Sequence, residues 1–228
     1  MGVCVLVLGQ SGSGKSTSLR NFEPDEVGVL NVIGKPLPFR KHLNRIDHAD
    51  YRAAMSMISS GRLRAWVVDD AGYLMANENF ARAKEGGYGK FTDMAVNFQR
   101  LVQAATRADA DTITYLLMHV ELDANGHEKV KTIGRMLDEK YCIEGACPIV
   151  IDCVVRDGRH VFVTENDGTN LAKAPMGMLP PEMDNDLKAV DAAIREYWGM
   201  APLMDERLAA QIEQRKAARA AAGHDEQE

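Results

Sequence analysis

The sequence predicts an α/β fold: a mostly parallel sheet flanked by helices, with an antiparallel hairpin at one edge. Three observations predict it. Continuous apolar runs recur at 3–8, 27–33, 64–68 and 112–120, the pattern of strands buried on both faces. Segments with helical spacing separate them, which is the alternation of an α/β sheet. Late in the chain, "PIVIDCVVRDGRHVFVTE" holds two strand-like runs around Asp157-Gly158, a strong short hairpin signal.

The elements follow in order. Residues 3–8 are apolar throughout, with Val3, Val5 and Val7 β-branched, as suits a central strand. A Gly-rich turn comes next, then a short helix near 16–21. "VGVLNVI" (27–33) reads as a second buried strand. Residues 34–47 read as a loop, because Pro36 and Pro38 exclude regular structure. A helix is expected over 50–60, closed by Gly61, and then the strand 64–68. The polar stretch 76–90 is punctuated by Gly86, Gly87 and Gly89. A strong helix follows, with Phe91, Met94, Ala95, Phe98, Leu101, Val102 and Ala105 on one face. Another strand spans 112–120, and 121–135 reads as a polar loop turning at Asn125-Gly126. Residues 188–198 are helical, with Val190, Ile194 and Trp198 sharing a face. The organisation is one domain over 1–200 and an exposed charged helical tail over 201–228. That tail carries a thin stripe of Met204, Leu208 and Ile212 and frays into "GHDEQE".

Composition narrows the function. The 228-residue chain is 46% apolar with a net charge of −6, enough for one sizeable core. It is no polybasic chain, so contact with nucleic acid requires a local patch. No apolar run approaches the ~20 residues of a membrane span. "MGVCVLVLG" lacks the charged start and longer apolar stretch of a signal peptide, and Leu6 breaks the myristoylation pattern. Cys4, Cys142, Cys147 and Cys153 fit no zinc or redox spacing. Buried reduced thiols in a cytoplasmic protein without a membrane partner are the expectation.

"GQSGSGKS" (9–16) matches G-x-x-x-x-G-K-[ST] at every fixed position, after a strand and before a helix. Gly9, Gly12 and Gly14 let the backbone curl, so that the amides around Gln10, Ser11 and Ser13 can form an anion cradle. Lys15 is the expected phosphate-binding charge, Ser16 a Mg²⁺ ligand, and Thr17 a neighbour of the α-phosphate. ATP and Mg²⁺ are therefore the expected cofactors. The strand 64–68 runs into Asp69 and Asp70, and an uncompensated buried charge costs several kcal/mol. Asp69 fits the metal carboxylate of such a site. Asp70 fits either an acid that orients water or a turn residue. The segment between Lys15 and Asp69 suggests that their strands are not simply consecutive neighbours. His119, ending the strand 112–120, is expected on the same rim, as a γ-phosphate sensor or a plain hydrogen-bonder. The segment 121–135 carries His127, Lys129, Lys131 and Arg135. It reads as a nucleic-acid loop, a source of a cation for a neighbour's phosphate, or a solvated loop. Arg40, Lys41, His42 and Arg45 beside Phe39 form a second, weaker basic cluster.

With these residues in view, the chain resembles the phage-encoded P-loop ATPases with a short RecA-like core, the type found beside single-strand annealing proteins in recombination modules. "GQSGSGKSTSLRN", "GKPLPFR", "WVVDDAGYLM", "GGYGKFTDMAVNF", "LMHVE", "KTIGRMLDEKY", "AKAPMGM" and "NDLKAVD" carry the resemblance, which extends to about Trp198. It implies ATP binding and hydrolysis on a P-loop, RecA-like sheet and a role in DNA recombination or repair. Single-stranded DNA is the implied partner, with recombination or single-strand-binding proteins and a homo-oligomer beside it. A nucleotide shared between protomers would make Arg135 the cation given in trans. One departure stands out: "NVIGKPLPF" has no carboxylate where RecA-like proteins carry a catalytic Glu. Either Asp70 takes over, as the acid after the metal Asp does in AAA+ proteins, or hydrolysis is slow. The competing readings are a nucleotide-switched loader or adaptor of AAA+ type and a small-molecule kinase. The few arginines in 129–135 make a poor kinase lid.

Overall fold

The computed structural model describes residues 1–222, without the side chains of Asp138, Arg219 and Ala222; the segment 223–228, expected to fray, lies outside the described residues. Its centre is a parallel array. Strands β1 (Val3–Leu8), β2 (Gly28–Asn31), β3 (Arg45–Asp47), β4 (Ala65–Asp69), β5 (Ile113–Met118) and β8 (Ile149–Arg156) all run in one direction. β6 (Val120–Leu122) and β7 (Glu128–Val130) form a separate antiparallel pair. β9 (Arg159–Val163) and β10 (Glu182–Asp184) add antiparallel strands beyond β8. The eight-stranded order is β10-β9-β8-β1-β5-β4-β2-β3. β5 thus lies between β1 and β4, so the strands leading to Lys15 and Asp69 are not neighbours. The hairpin expectation needs one correction: its first arm, β8, joins β1 in parallel, so only β9 runs against the array, and β10, antiparallel to β9, runs with it again.

Period-two alternation sends each strand's side chains to two cores. Cys4, Leu6, Leu8, Trp66, Val68, Leu116 and Met118 face one side. There they meet α1 (Tyr51–Ile58), α2 (Gly72–Ala81) and α3 (Gly89–Arg107). Val5, Val7, Val67, Tyr115, Leu117 and Ile151 face the other, covered by α6 (Leu187–Trp198). α3 buries Met94, Ala95, Phe98, Leu101, Val102 and Ala105, the stripe that its periodicity predicts. Asp50 caps α1 by accepting from Ala53 N, and Asp186 caps α6 by accepting from Lys188 N and Ala189 N.

Several local expectations change. The short helix expected near 16–21 is present, as a 3-10 helix. The presumed loop 34–47 contains β3, which lies in parallel beside β2 at the edge of the sheet. α2 occupies part of the polar stretch 76–90, and its polar face concealed it. The strand expected over 112–120 ends at Met118, and the loop 121–135 folds into the β6–β7 hairpin with its turn at 123–127. Two short helices, α4 (Arg135–Glu139) and α5 (Ile143–Ala146), follow it. α7 (Glu206–Ala222) lies back along the chain. Arg64 holds Asp205 at 2.6 Å, Lys216 reaches Asp25 at 2.7 Å, and Leu208 is buried. Cys142 is exposed, against the expectation of four buried thiols. Among the described residues no helix is long and apolar enough to cross a membrane.

Candidate functional site

The parallel strands end together. Leu8 pairs with Met118 and with Asp152, and Asn31 pairs with Asp69. The glycine-rich loop 9–16, the Asp69–Asp70 pair and His119 therefore gather on one rim, the usual ligand edge of such a sheet.

The loop is tightly wound. Gly14 has φ +106°, and a Cβ there would stand 2.9 Å from His160 Nδ1. That ring in turn lies 2.7 Å from Ser13 O. Glycine is thus required twice over, by the torsion and by the packing. Lys15 Nζ folds across the loop and donates to Gly9 O (2.7 Å) and Gln10 O (2.9 Å). Among the described residues, no hydrogen bond uses the amides of Gly12, Gly14, Lys15, Ser16 or Thr17. These are donors available to an anion. The following 3-10 helix is too short for a sizeable macrodipole, so the cradle depends on the loop's own amides and Lys15. Gln10, Ser11 and Gly12 are exposed at its outer side; Ser13 and Lys15 are buried. Burial lowers the Lys15 pKa, against the attraction of Cys153, Asp70 and Asp69.

Ser16 Oγ donates to Asp69 Oδ1 at 2.8 Å, joining two residues 53 positions apart. Burial raises the Asp69 pKa, with Asp70 adding to it and Ser16 opposing it. The hydroxyl and the carboxylate are the hard oxygen donors that Mg²⁺ takes together with phosphate oxygens. Among the described residues no group of three or more His, Cys, Asp or Glu side chains is placed to hold a metal. Ser16 and Asp69 fit a cation completed by a phosphate ligand.

Asp70 turns away from this pair. Its φ is +61°, a left-handed conformation uncommon outside glycine but tolerated by Asp. Ala71 N donates to Leu117 O, and Tyr73 N donates to Asp70 O. These bonds pin the turn between β4 and α2. The buried Asp70 carboxylate is ion-paired with Lys35 through Oδ2 and lies 3.4 Å from His119 Nε2 through Oδ1. His119 Nδ1 is 3.5 Å from Lys15 Nζ, and the Tyr73 ring meets the imidazole edge-on at 6.2 Å. Burial lowers the His119 pKa, helped by Lys15 and opposed by Asp70, which favours the neutral ring.

Lys35 is the residue that sequence reasoning missed as a site residue. The signal was its turn. Gly34 has φ +75°, and a Cβ there would strike the His48 ring at 2.3 Å. Asn31, buried beside Asp69, accepts from Gly34 N and donates to Lys35 O at 2.8 Å. This clamp aims the lysine at Asp70. Burial opposes the Lys35 charge, but Asp70 outweighs it and the pKa stands above the ordinary lysine value.

Other residues lie apart. Arg135 is 92% exposed and lies 3.9 Å from Glu139 on its own helix. Lys129 pairs with Glu121, Lys131 is exposed, and His127 is exposed 3.9 Å from Asp123. The hairpin still touches the rim, because Lys131 N donates to His119 O at 2.9 Å. In the second basic cluster Lys41 pairs with Glu23 and Arg45 with Asp47, while Phe39 packs against the core and presents no free stacking ring. Comparison of the chain with protein-family models and with curated proteins returns no match.

Proposed function

We propose that the chain is a P-loop ATPase of RecA-like type that binds ATP with Mg²⁺ and acts on DNA in recombination or repair. The observation that carries the reading is the 2.8 Å contact of Ser16 with Asp69, beside a glycine loop whose amides are uncommitted. The loop amides and Lys15 bind the phosphates, Lys15 exchanging Gly9 O and Gln10 O for phosphate oxygens. Thr17 stands at the start of the 3-10 helix, by the α-phosphate. Ser16 and Asp69 hold Mg²⁺, which when bound offsets phosphate charge. Neutral His119, between Lys15 and Asp70, positions water or reports on the terminal phosphate. Asp70 takes the proton of the attacking water once Lys35 withdraws. Single-stranded DNA is the proposed partner, reached through Lys129 and Lys131 on the hairpin that returns to His119. A homo-oligomer with Arg135 acting in trans, and recombination or single-strand-binding proteins as further partners, belong to the same proposal. So does a cytoplasmic setting.

One observation favours a second reading. Lys35 closes Asp70 in an ion pair, which suits a slow nucleotide-switched loader or adaptor. Phosphate release, measured with and without single-stranded DNA, tests both. DNA-stimulated release supports the ATPase. Tight ATP binding with negligible release in either case supports the switch. Absence of ATP binding sinks both.

A further inference from the structure

On the far side of the glycine loop from Asp69 lies a cleft of about 260 Å³, lined by Gly9–Ser13 of the loop, Glu128 of β7 and Asp152–Val155 of β8. Three oxygens in its lining are buried and accept from no N–H or O–H donor among the described residues: Ser13 Oγ, Glu128 Oε2 and Asp152 Oδ1. They arrive from three separate elements. Asp152 is 3% exposed and is fixed by pairing to Leu8 on one side and Val163 on the other. Glu128 is fixed by its pairing to Leu122 and by its amide, which donates to Thr169 O at 2.8 Å. Ser13, 6% exposed, is held by its carbonyl, which accepts from Cys153 Sγ at 3.1 Å and lies against His160.

The carboxyl groups of buried Asp152 and half-buried Glu128 meet, and such a pair needs either a proton or a cation between its members, because like charges away from water repel strongly. The nearby cations are committed elsewhere: Arg156 pairs with Glu182, and Lys15 Nζ donates to the loop carbonyls. Asp167, also near, has its carboxylate occupied by Thr169 and Asn170. A shared proton would satisfy the carboxyl pair alone. It would leave Ser13 Oγ unpartnered at the wall of the same cleft. An oxygen-only donor set carrying two carboxylates is chemistry for a hard divalent cation that keeps part of its water shell. The cleft has room for those waters.

We infer that Asp152, Glu128 and the Ser13 hydroxyl form a second, nucleotide-independent site for a hydrated divalent cation of the Mg²⁺ or Mn²⁺ class. The ion fastens β7 and β8 to the back of the glycine loop. It thereby joins the hairpin carrying Lys129 and Lys131 to the loop residues on the opposite side from Asp69. The inference stands without the ATPase reading, since no nucleotide takes part.

The test uses the full chain free of nucleotide, titrated with Mn²⁺ alone and followed by electron paramagnetic resonance. Wild type and Asp69→Asn should each take up an ion that Asp152→Asn and Glu128→Gln bind roughly tenfold or more weakly, at least the usual cost of losing a group that supports a metal. No uptake by wild type, or equal uptake in all four proteins, overturns the site and leaves the pair closed by a proton. Should a variant fail to fold, wild type alone decides by paramagnetic broadening. The amide signals of Gly9–Ser13 and Cys153–Val155 should broaden before those of Asp69–Gly72; the reverse order overturns the inference.

Discussion

Asp69 and Asp70 are adjacent and both buried, yet they meet different groups. Asp69 accepts from Ser16, whereas Asp70 meets Lys35 and His119. The left-handed turn at Asp70 produces this division. Asp69→Asn should weaken Mg²⁺-dependent nucleotide binding. Asp70→Asn should leave binding near normal and lower kcat by roughly 10²-fold, the scale of a lost general base. Equal hydrolysis by both variants would refute the division of roles. Lys15→Ala should abolish hydrolysis and weaken ATP binding, because Lys15 is the one cationic side chain of the loop 9–16; normal turnover would remove the loop from the mechanism. His119 adds a pH dependence. Its folded pKa lies below the ordinary 6.5, chiefly through burial. Below that pH the unfolded chain takes up the proton first, so folding stability falls as pH drops. The thermal midpoint should decline from pH 7 to 5.5 more in wild type than in His119→Gln, and parallel declines would refute this.

At the scale of elements, α3 and the β6–β7 hairpin contrast. α3 is held by apolar burial over its whole inner face. Phe98 is fully buried, and Phe98→Ala should cost about 3–5 kcal/mol, as a transfer loss plus a cavity. Urea unfolding reads that loss; a change under 1 kcal/mol would mean that neighbouring side chains refill the space. The hairpin has three-residue strands and exposes most of its surface. It is suited to contact rather than to core stability. Replacing Lys129 and Lys131 with Gln should lower single-stranded DNA affinity and flatten its salt dependence, since each phosphate contact contributes to the slope. Affinity unchanged by that pair would move the contact to Arg40, Lys41 and Arg45.

For the whole molecule, the proposal that a second copy completes the site makes a direct prediction. Arg135 is 92% exposed and lies 3.9 Å from Glu139 on its own helix, an outward disposition that suits a cation acting on a neighbour. Arg135→Ala should bind ATP normally and hydrolyse it poorly, since a cation given in trans is worth ~10³-fold or more. Mixed with Asp70→Asn protein, it should regain activity, because one interface then pairs an intact site with an intact arginine. Specific activity should rise with protein concentration. Turnover per molecule that stays flat on dilution, with no complementation, would leave Arg135 an ordinary surface residue.

The chain by itself announced the fold class, because strands buried on both faces must be apolar along their length, and α3 must repeat its apolar stripe every turn. It also marked the glycine loop and the two acids, since a curled backbone and a buried charge each need unusual residues in fixed local spacing. β3 and α2 were hidden because one is a short exposed edge strand and the other turns a polar face outward. What tertiary structure alone decided were the side-chain meetings: the hydrogen bond of Ser16 with Asp69, the ion pair of Lys35 with Asp70, and the contact of Glu128 with Asp152. Each joins residues from different strands or turns. Their proximity is set by strand order and register, which leave no periodic trace in the sequence.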